Sequence, residues 1–307
     1  MPLRFSLPRL EAALPRLEAL VREAGGRLFA VGGTARDAQL GLVIDELDLE
    51  VFGIDAGAIS EALAPEFAHQ HVGQHFPVIR LDRLAVDIAA AEGDASDLEE
   101  AASRRDFTIN ALYLDPRSGE IHDPLGGASD LEAGVLRHCS PRFAEDPLRL
   151  LRGMQLAARF GLRAAPETLD FVRTLSLEGI APERIFEEWR KLLVLGRTPS
   201  LGLHFLEAGG GLRFFPELEA LVGCAQDPEF HPEGDVWVHT LHALDAFAKA
   251  RTGDAREDLV VGLACWPTTS ASRRPALRAK ATPPEPGCAR PDTPGKVSAW
   301  RAAFSSA

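Results

Sequence analysis

Short apolar or alternating runs recur at residues 28–31, 47–52, 78–81, 85–89 and 112–114, with short helical stretches between them. That is the period of strands in a small mixed α/β domain, expected over residues 25–144. Ahead of it, Leu10, Leu14, Leu17 and Leu20 stand at helical spacing. They predict a packing helix over 8–24 with a kink at Pro15, an N-terminal element ending at residue 24. From Asp146 to about Val261 the period is helical, broken at Gly161, Gly179, Gly196 and Gly209-Gly210-Gly211. This predicts a helical domain over 145–225 and a further helical region over 226–264. After Ala264 the chain turns rich in Pro, Ala and Arg without apolar periodicity, so little stable structure is expected over 265–307. The fold class is therefore α+β, a mixed α/β head followed by an all-helical array.

The 307 residues exceed one ordinary domain, and 46% hydrophobic with 25% charged residues allows a substantial core. No apolar run reaches the length of a membrane span, and Met1-Pro2-Leu3-Arg4 does not open a signal peptide. A cytoplasmic protein without a membrane partner is expected. Cys139, Cys224, Cys265 and Cys288 show no C-x-x-C pairing, which argues against a zinc ribbon and a disulfide framework. The net charge of −12 is uneven: residues 271–307 hold seven Lys or Arg against two Asp or Glu, leaving −17 on the first 270. A phosphate-binding site there has to be a local basic patch.

Candidate chemistry begins at Val31-Gly32-Gly33-Thr34-Ala35-Arg36-Asp37. A strand, a double-glycine turn and a helix let backbone N–H groups approach a triphosphate at a helix N-terminus; an ordinary tight turn has the same sequence. Glu46 and Asp48 at the start of the next strand point to one side, a carboxylate pair able to bind Mg²⁺. Asp87 is a charge in an otherwise apolar strand, a candidate third carboxylate or a plain edge-strand Asp. Arg104, Arg105, Asp106 and Asn110 gather groups suited to phosphates and a ribose hydroxyl, or form a solvated basic turn. Asp146 and Arg149 open a helix and can share one face. A carboxylate facing an amino group and an Arg facing a ring nitrogen suit adenine and cytosine and mismatch guanine and uracil. Asp146-Pro147 equally fits an N-cap with proline at the first helical position.

The glycine turn, the paired acids and Asp87 resemble the head of the DNA polymerase β-like nucleotidyltransferases. With Arg104-Arg105-Asp106-Phe107-Thr108-Ile109-Asn110-Ala111 and Glu145-Asp146-Pro147-Leu148-Arg149, the chain is identified over roughly 25–264 as resembling the class II CCA-adding tRNA nucleotidyltransferases and bacterial poly(A) polymerases. The resemblance implies metals on Glu46 and Asp48, with Asp87 catalytic beside them. It implies nucleotide contacts at Gly32, Gly33, Arg36, Asp37, Arg104, Arg105, Asp106, Asn110 and Arg152, and base selection by Asp146 and Arg149. Asp123-Pro124-Leu125-Gly126-Gly127 and residues 182–188 also match family segments, mainly as scaffold, with Arg184 supporting the site. Arg159, Arg163, Arg190, Lys191 and Arg197 supply positive charge for an RNA backbone, or are solvated helix faces.

Two departures stand out. The family usually has Asp-x-Asp where this chain has Glu46-x-Asp48; the extra methylene moves the carboxylate by about 1 Å, which predicts a weakened rate. Residues 231–241 resemble the opening of an HD-type phosphohydrolase domain, which then needs a His-Asp pair; no His follows His242, so the HD metal site is not completed. The shift at Cys265-Trp266-Pro267 suggests a reading-frame change, which resequencing of the coding DNA would test. The implied activity is template-independent addition of CMP and AMP to a tRNA 3′ end from CTP and ATP, with two Mg²⁺ ions. Addition of A alone, by a poly(A) polymerase, and a catalytically impaired nucleotide- or RNA-binding protein are the alternatives.

Overall fold

The computed structural model describes residues 3–72, 78–91 and 97–266, in two compact units that divide between Glu145 and Asp146. In the first, seven strands form a mixed sheet in the order His69–Val72, Val78–Leu81, Val86–Ala90, Leu47–Phe52, Arg27–Val31, Tyr113–Leu114, Ile121–His122. Leu47–Phe52 runs parallel to Val86–Ala90 and antiparallel to Arg27–Val31. Alternation sorts the side chains. Leu28, Ala30, Leu47, Leu49 and Val51 join the larger core beneath the Pro8–Glu23 and Ala56–Leu63 helices. Phe29, Val31, Phe52 and Tyr113 form a second cluster on the opposite face, where Phe29 meets Phe52 and Tyr113 edge-on at 5.8 Å. Asp48 and Glu50 stand at the in-between positions of their strand, on the side of Phe52.

The leucine stripe is buried as its spacing predicts, and the helix continues through Pro15 as one element. Pro15 has no N–H to donate to the Glu11 carbonyl four residues back, and both residues are exposed. His69–Val72 and Ile121–His122 are strands that periodicity did not predict, because each is short and the first holds a single apolar residue.

The second unit is helical. Arg149–Phe160, Pro182–Leu195 and Pro199–Ala208 pack around Leu150, Met154, Trp189, Leu192 and Leu206. A Cβ on Gly202 would stand 2.4 Å from the Met154 carbonyl oxygen, so only glycine permits that helix contact. Val236–Ala250 and Ala255–Ala264 follow. Contrary to the expectation for residue 265 onward, Trp266 belongs to the core, 7% exposed and edge-on to Trp189 at 5.6 Å, because burial of the indole outweighs ordering two more residues. Residues 267–307, with Cys288, lie outside the described residues.

Candidate active site

The Arg27–Val31 strand runs straight into the Gly32–Gln39 helix through Gly32 at φ +60°, a conformation that L side chains rarely adopt. A Cβ built on Gly32 would lie 3.5 Å from both Asp48 Oδ2 and Arg105 Nη1; on Gly33 it would lie 3.5 Å from Arg36 Nη2 and 3.6 Å from Asp48 Oδ2. The bare glycines therefore face one carboxylate and two guanidiniums. Thr34, 3% exposed, locks turn to strand: its hydroxyl donates to the Glu46 carbonyl at 3.1 Å and accepts from the Asp48 N–H at 2.9 Å.

Asp48 is open to solvent along one side yet closely surrounded by protein. Desolvation is the largest influence and raises its pKa above the ordinary carboxylate value; Arg105 opposes, Glu46 and Asp87 add to the rise, and Arg36 opposes. The charge of Glu46, just ahead of the strand, thus acts on Asp48, and it acts on Arg80 as well. Glu46 and Asp48 offer hard oxygen donors where negative charge is concentrated, which fits a divalent cation such as Mg²⁺. Asp87 sits beside Asp48 in the parallel register, but Arg80 from the next strand grips both its oxygens at 2.7 and 2.6 Å.

Arg105 comes to the turn from the loop after Leu98–Ser103. Glu50 pairs with it, and its Nε donates to the Tyr113 hydroxyl at 3.4 Å. Desolvation works against its charge, but Glu50 and Tyr113 more than compensate and raise its pKa, so it stays a cation. Tyr113, mainly through burial, also has a raised pKa. Arg104 instead pairs with Glu100 at 3.3 Å. Asp106 and Asn110 turn inward, 6% and 5% exposed: Asp106 Oδ1 accepts from the Phe107 N–H at 2.7 Å and from Asn110 Nδ2 at 3.1 Å. Asn110 Oδ1 accepts from Arg36 Nη1 at 2.7 Å, and Arg36 also holds Asp37 at 2.8 Å. Gly32, Gly33, Arg36, Asp48 and Arg105 are thus brought together, while Asp106 and Asn110 brace Arg36 from inside.

In the second unit the helix starts at Arg149, with Asp146 in the turn before it. Leu148, not Asp146, holds the N-cap position of this helix, contrary to the capping alternative. Asp146 Oδ1 accepts from the Leu148 N–H at 3.2 Å, a local turn, and its Oδ2 pairs with Arg184 at 2.8 Å. Arg152 is a turn beyond Arg149 on this helix. Arg159 lies 5.1 Å over the Phe160 ring, and Arg163 is exposed. Arg190 is held by both oxygens of Glu187, and Lys191 by Glu188 at 2.9 Å, so each has a counter-charge one turn back. Arg190 accordingly keeps a raised pKa, through the Glu187 bond first.

Sequence reasoning passed over Glu50, Arg80, Tyr113 and Thr34. Glu50 was readable as the next same-side acid after Glu46 and Asp48. Arg80 was not, because only strand register sets it across from Asp87.

Residues 67–137 match the family described as the Poly A polymerase head domain. The multifunctional CCA protein of Xanthomonas campestris pv. campestris (strain B100) is 38% identical over 253 residues, covering 75% of this chain and 60% of that protein. The chain thus spans about 60% of the length of the curated relatives it matches. Among solved structures, a CCA-adding enzyme with ATP superposes with a TM-score of 0.62 at 23% identity, covering 85% of this chain and 62% of that one. The Thermotoga maritima CCA-adding enzyme complexed with tRNA gives 0.61 at 23% identity, covering 89% and 67%. At that identity the likeness is one of fold.

Proposed function

Since the chain belongs to the family of CCA-adding enzymes and poly(A) polymerases, we propose that it transfers CMP and AMP from CTP and ATP to the 3′ end of a tRNA. The observation that carries this reading is the placement of Asp48 Oδ2 and Arg105 Nη1 each 3.5 Å from where a Cβ would stand on Gly32. A glycine turn opposite a carboxylate and a guanidinium suits an anion that arrives with its own cation. The solved relatives carry ATP in one case and tRNA in another.

Glu46 and Asp48 would hold Mg²⁺, which when bound neutralises charge on the phosphates and lowers the barrier to attack by a 3′-hydroxyl. The backbone N–H groups after Gly32 receive phosphate oxygens, and Arg105, fixed by Glu50 and Tyr113, supplies positive charge at the same turn. Thr34 fixes the distance between turn and carboxylates. Asp146, oriented by Arg184, and Arg149 select amino-bearing bases, with Arg152 near them in sequence. Arg159 and Arg163 engage the RNA backbone; Arg190 and Lys191 do so only by leaving their glutamates. Among the described residues no helix is long and apolar enough to cross a membrane, and this reading places the protein in the cytoplasm.

The test supplies the full chain and Mg²⁺ with tRNA ending before CCA, at C or at CC, and labelled CTP, ATP, GTP or UTP singly and CTP with ATP. Ordered addition of C and then A, stopping at CCA, is expected, and Asp48→Asn abolishes it. Long A tracts without C would assign the poly(A) activity instead. No incorporation by the protein or by its Glu46→Asp variant overturns the reading in favour of a binding protein.

A further inference from the structure

The second unit carries a cluster that the nucleotidyl-transfer reading does not use. His231 Nδ1 and His239 Nδ1 approach the same carboxylate oxygen, Glu233 Oε1, at 3.1 and 2.6 Å. The two imidazole rings meet edge-on with centroids 4.9 Å apart. One ligand atom from each of the three residues lies within 4.8 Å of the other two, the one such grouping of His, Cys, Asp and Glu among the described residues. We propose that His231, Glu233 and His239 form a binding site for one borderline divalent cation of the zinc or nickel class, with two imidazole nitrogens, one carboxylate oxygen and an open position.

The donor set selects the metal. Two imidazoles suit zinc, nickel or copper, whereas magnesium prefers oxygen ligands and its own water. Zinc takes nitrogen and oxygen at about 2.0–2.2 Å in a tetrahedron, so neighbouring ligand atoms stand roughly 3.4 Å apart. The observed 3.1 and 2.6 Å separations reach that value by opening about 0.3 and 0.8 Å, which half-buried side chains do by rotation. The cation would replace the two hydrogen bonds now converging on Glu233.

The backbone holds the three residues in place without a metal. The His231 N–H donates to the Asp227 carbonyl at 2.9 Å, and the Gly234 N–H returns to the His231 carbonyl at 3.3 Å. Asp235 caps the Val236–Ala250 helix through the Val238 N–H at 2.9 Å and ties it to the Gly223 N–H at 2.6 Å. His239 stands on the first turn of that helix, above Glu233. Preorganisation of this kind lowers the ordering cost of binding. All three ligands lie in the 231–241 segment that resembles an HD opening, but the set contains no His-Asp pair and needs no residue after His239.

The experiment is a titration of the metal-stripped full chain with Co²⁺ in excess Mg²⁺, which keeps the hard oxygen donors of the head occupied. One equivalent should bind with the visible absorption of a tetrahedral or five-coordinate cobalt site, and Zn²⁺ should displace it. His231→Gln, Glu233→Gln and His239→Gln should each weaken binding at least ~10-fold, since even loss of an outer-shell partner costs that much. Asp48→Asn should leave the absorption unchanged, which separates this site from the head acids. X-ray absorption on the zinc-loaded wild type should show two imidazoles and does not depend on any variant folding. The proposal is overturned by failure to bind one equivalent, by a zinc spectrum lacking imidazole, or by variants that bind as tightly as wild type.

Discussion

Thr34→Val replaces a buried hydroxyl by a methyl of nearly the same size, so its effect comes from two hydrogen bonds rather than from packing. In the native fold the hydroxyl donates to the Glu46 carbonyl at 3.1 Å and accepts from the Asp48 N–H at 2.9 Å, at a residue 3% exposed. Each bond contributes about 1 kcal/mol net, and a buried backbone group left unpaired costs about 1–3 kcal/mol. Because Asp48 is partly open to water, the lower end applies, and the expected loss is about 2–3 kcal/mol. For a unit of this size that is a fall in Tm of roughly 4–12 °C. Thr34→Ser keeps both bonds and loses one methyl, about 1 kcal/mol. Thermal melts of wild type, Thr34→Val and Thr34→Ser, followed by circular dichroism, measure the ordering. The same Thr34→Val protein should incorporate nucleotide about 100-fold more slowly, as expected for a displacement near 1 Å between phosphate cradle and carboxylates. A Thr34→Val protein as stable as Thr34→Ser would falsify the claim that this hydroxyl couples the glycine turn to the acid strand.

Glu50→Gln removes the counter-charge of Arg105 while both side chains are about four-fifths buried. Breaking a fully buried pair costs about 3–5 kcal/mol, and with partial exposure about 1–3 kcal/mol is expected in urea unfolding; a change below about 0.5 kcal/mol would show that Arg105 is held by other means. His138 has a pKa lowered first by burial and then by Arg137. With its folded pKa below the unfolded value of about 6.5, the unfolded chain takes up the proton first, so stability is complete above that value and declines as pH falls through the folded pKa. Melting points of wild type and His138→Gln between pH 8 and about 5 should therefore diverge, with the wild type losing more on acidification; parallel curves would exclude His138 as a source of the slope.

What could be read from the chain was what backbone geometry repeats locally. Alternation at residues 47–52 puts Leu47, Leu49 and Val51 into one core and leaves Asp48 and Glu50 on the other side, whatever the sheet around them. The leucine stripe gave the first helix for the same reason. The glycine turn, too, is local: strand, Gly32 at positive φ and helix are consecutive.

Contacts between distant segments depend on register and packing, which no local period encodes. Arg80 reaches Asp87 because their strands pair in that register, so a residue that reads as a possible metal ligand is half-neutralised by its neighbour. Arg105 reads as one of two adjacent cations, yet packing against Glu50 and Tyr113 sends it to the turn while Arg104 goes to Glu100. Asp106 and Asn110 read as polar site residues and are instead drawn inward, where burial demands that each polar atom find a partner. The sequence by itself determined the kinds of groups available and the face on which each strand or helix presents them. The tertiary structure decided which charges remain available to a substrate, because that depends on the partners that packing brings within hydrogen-bond reach.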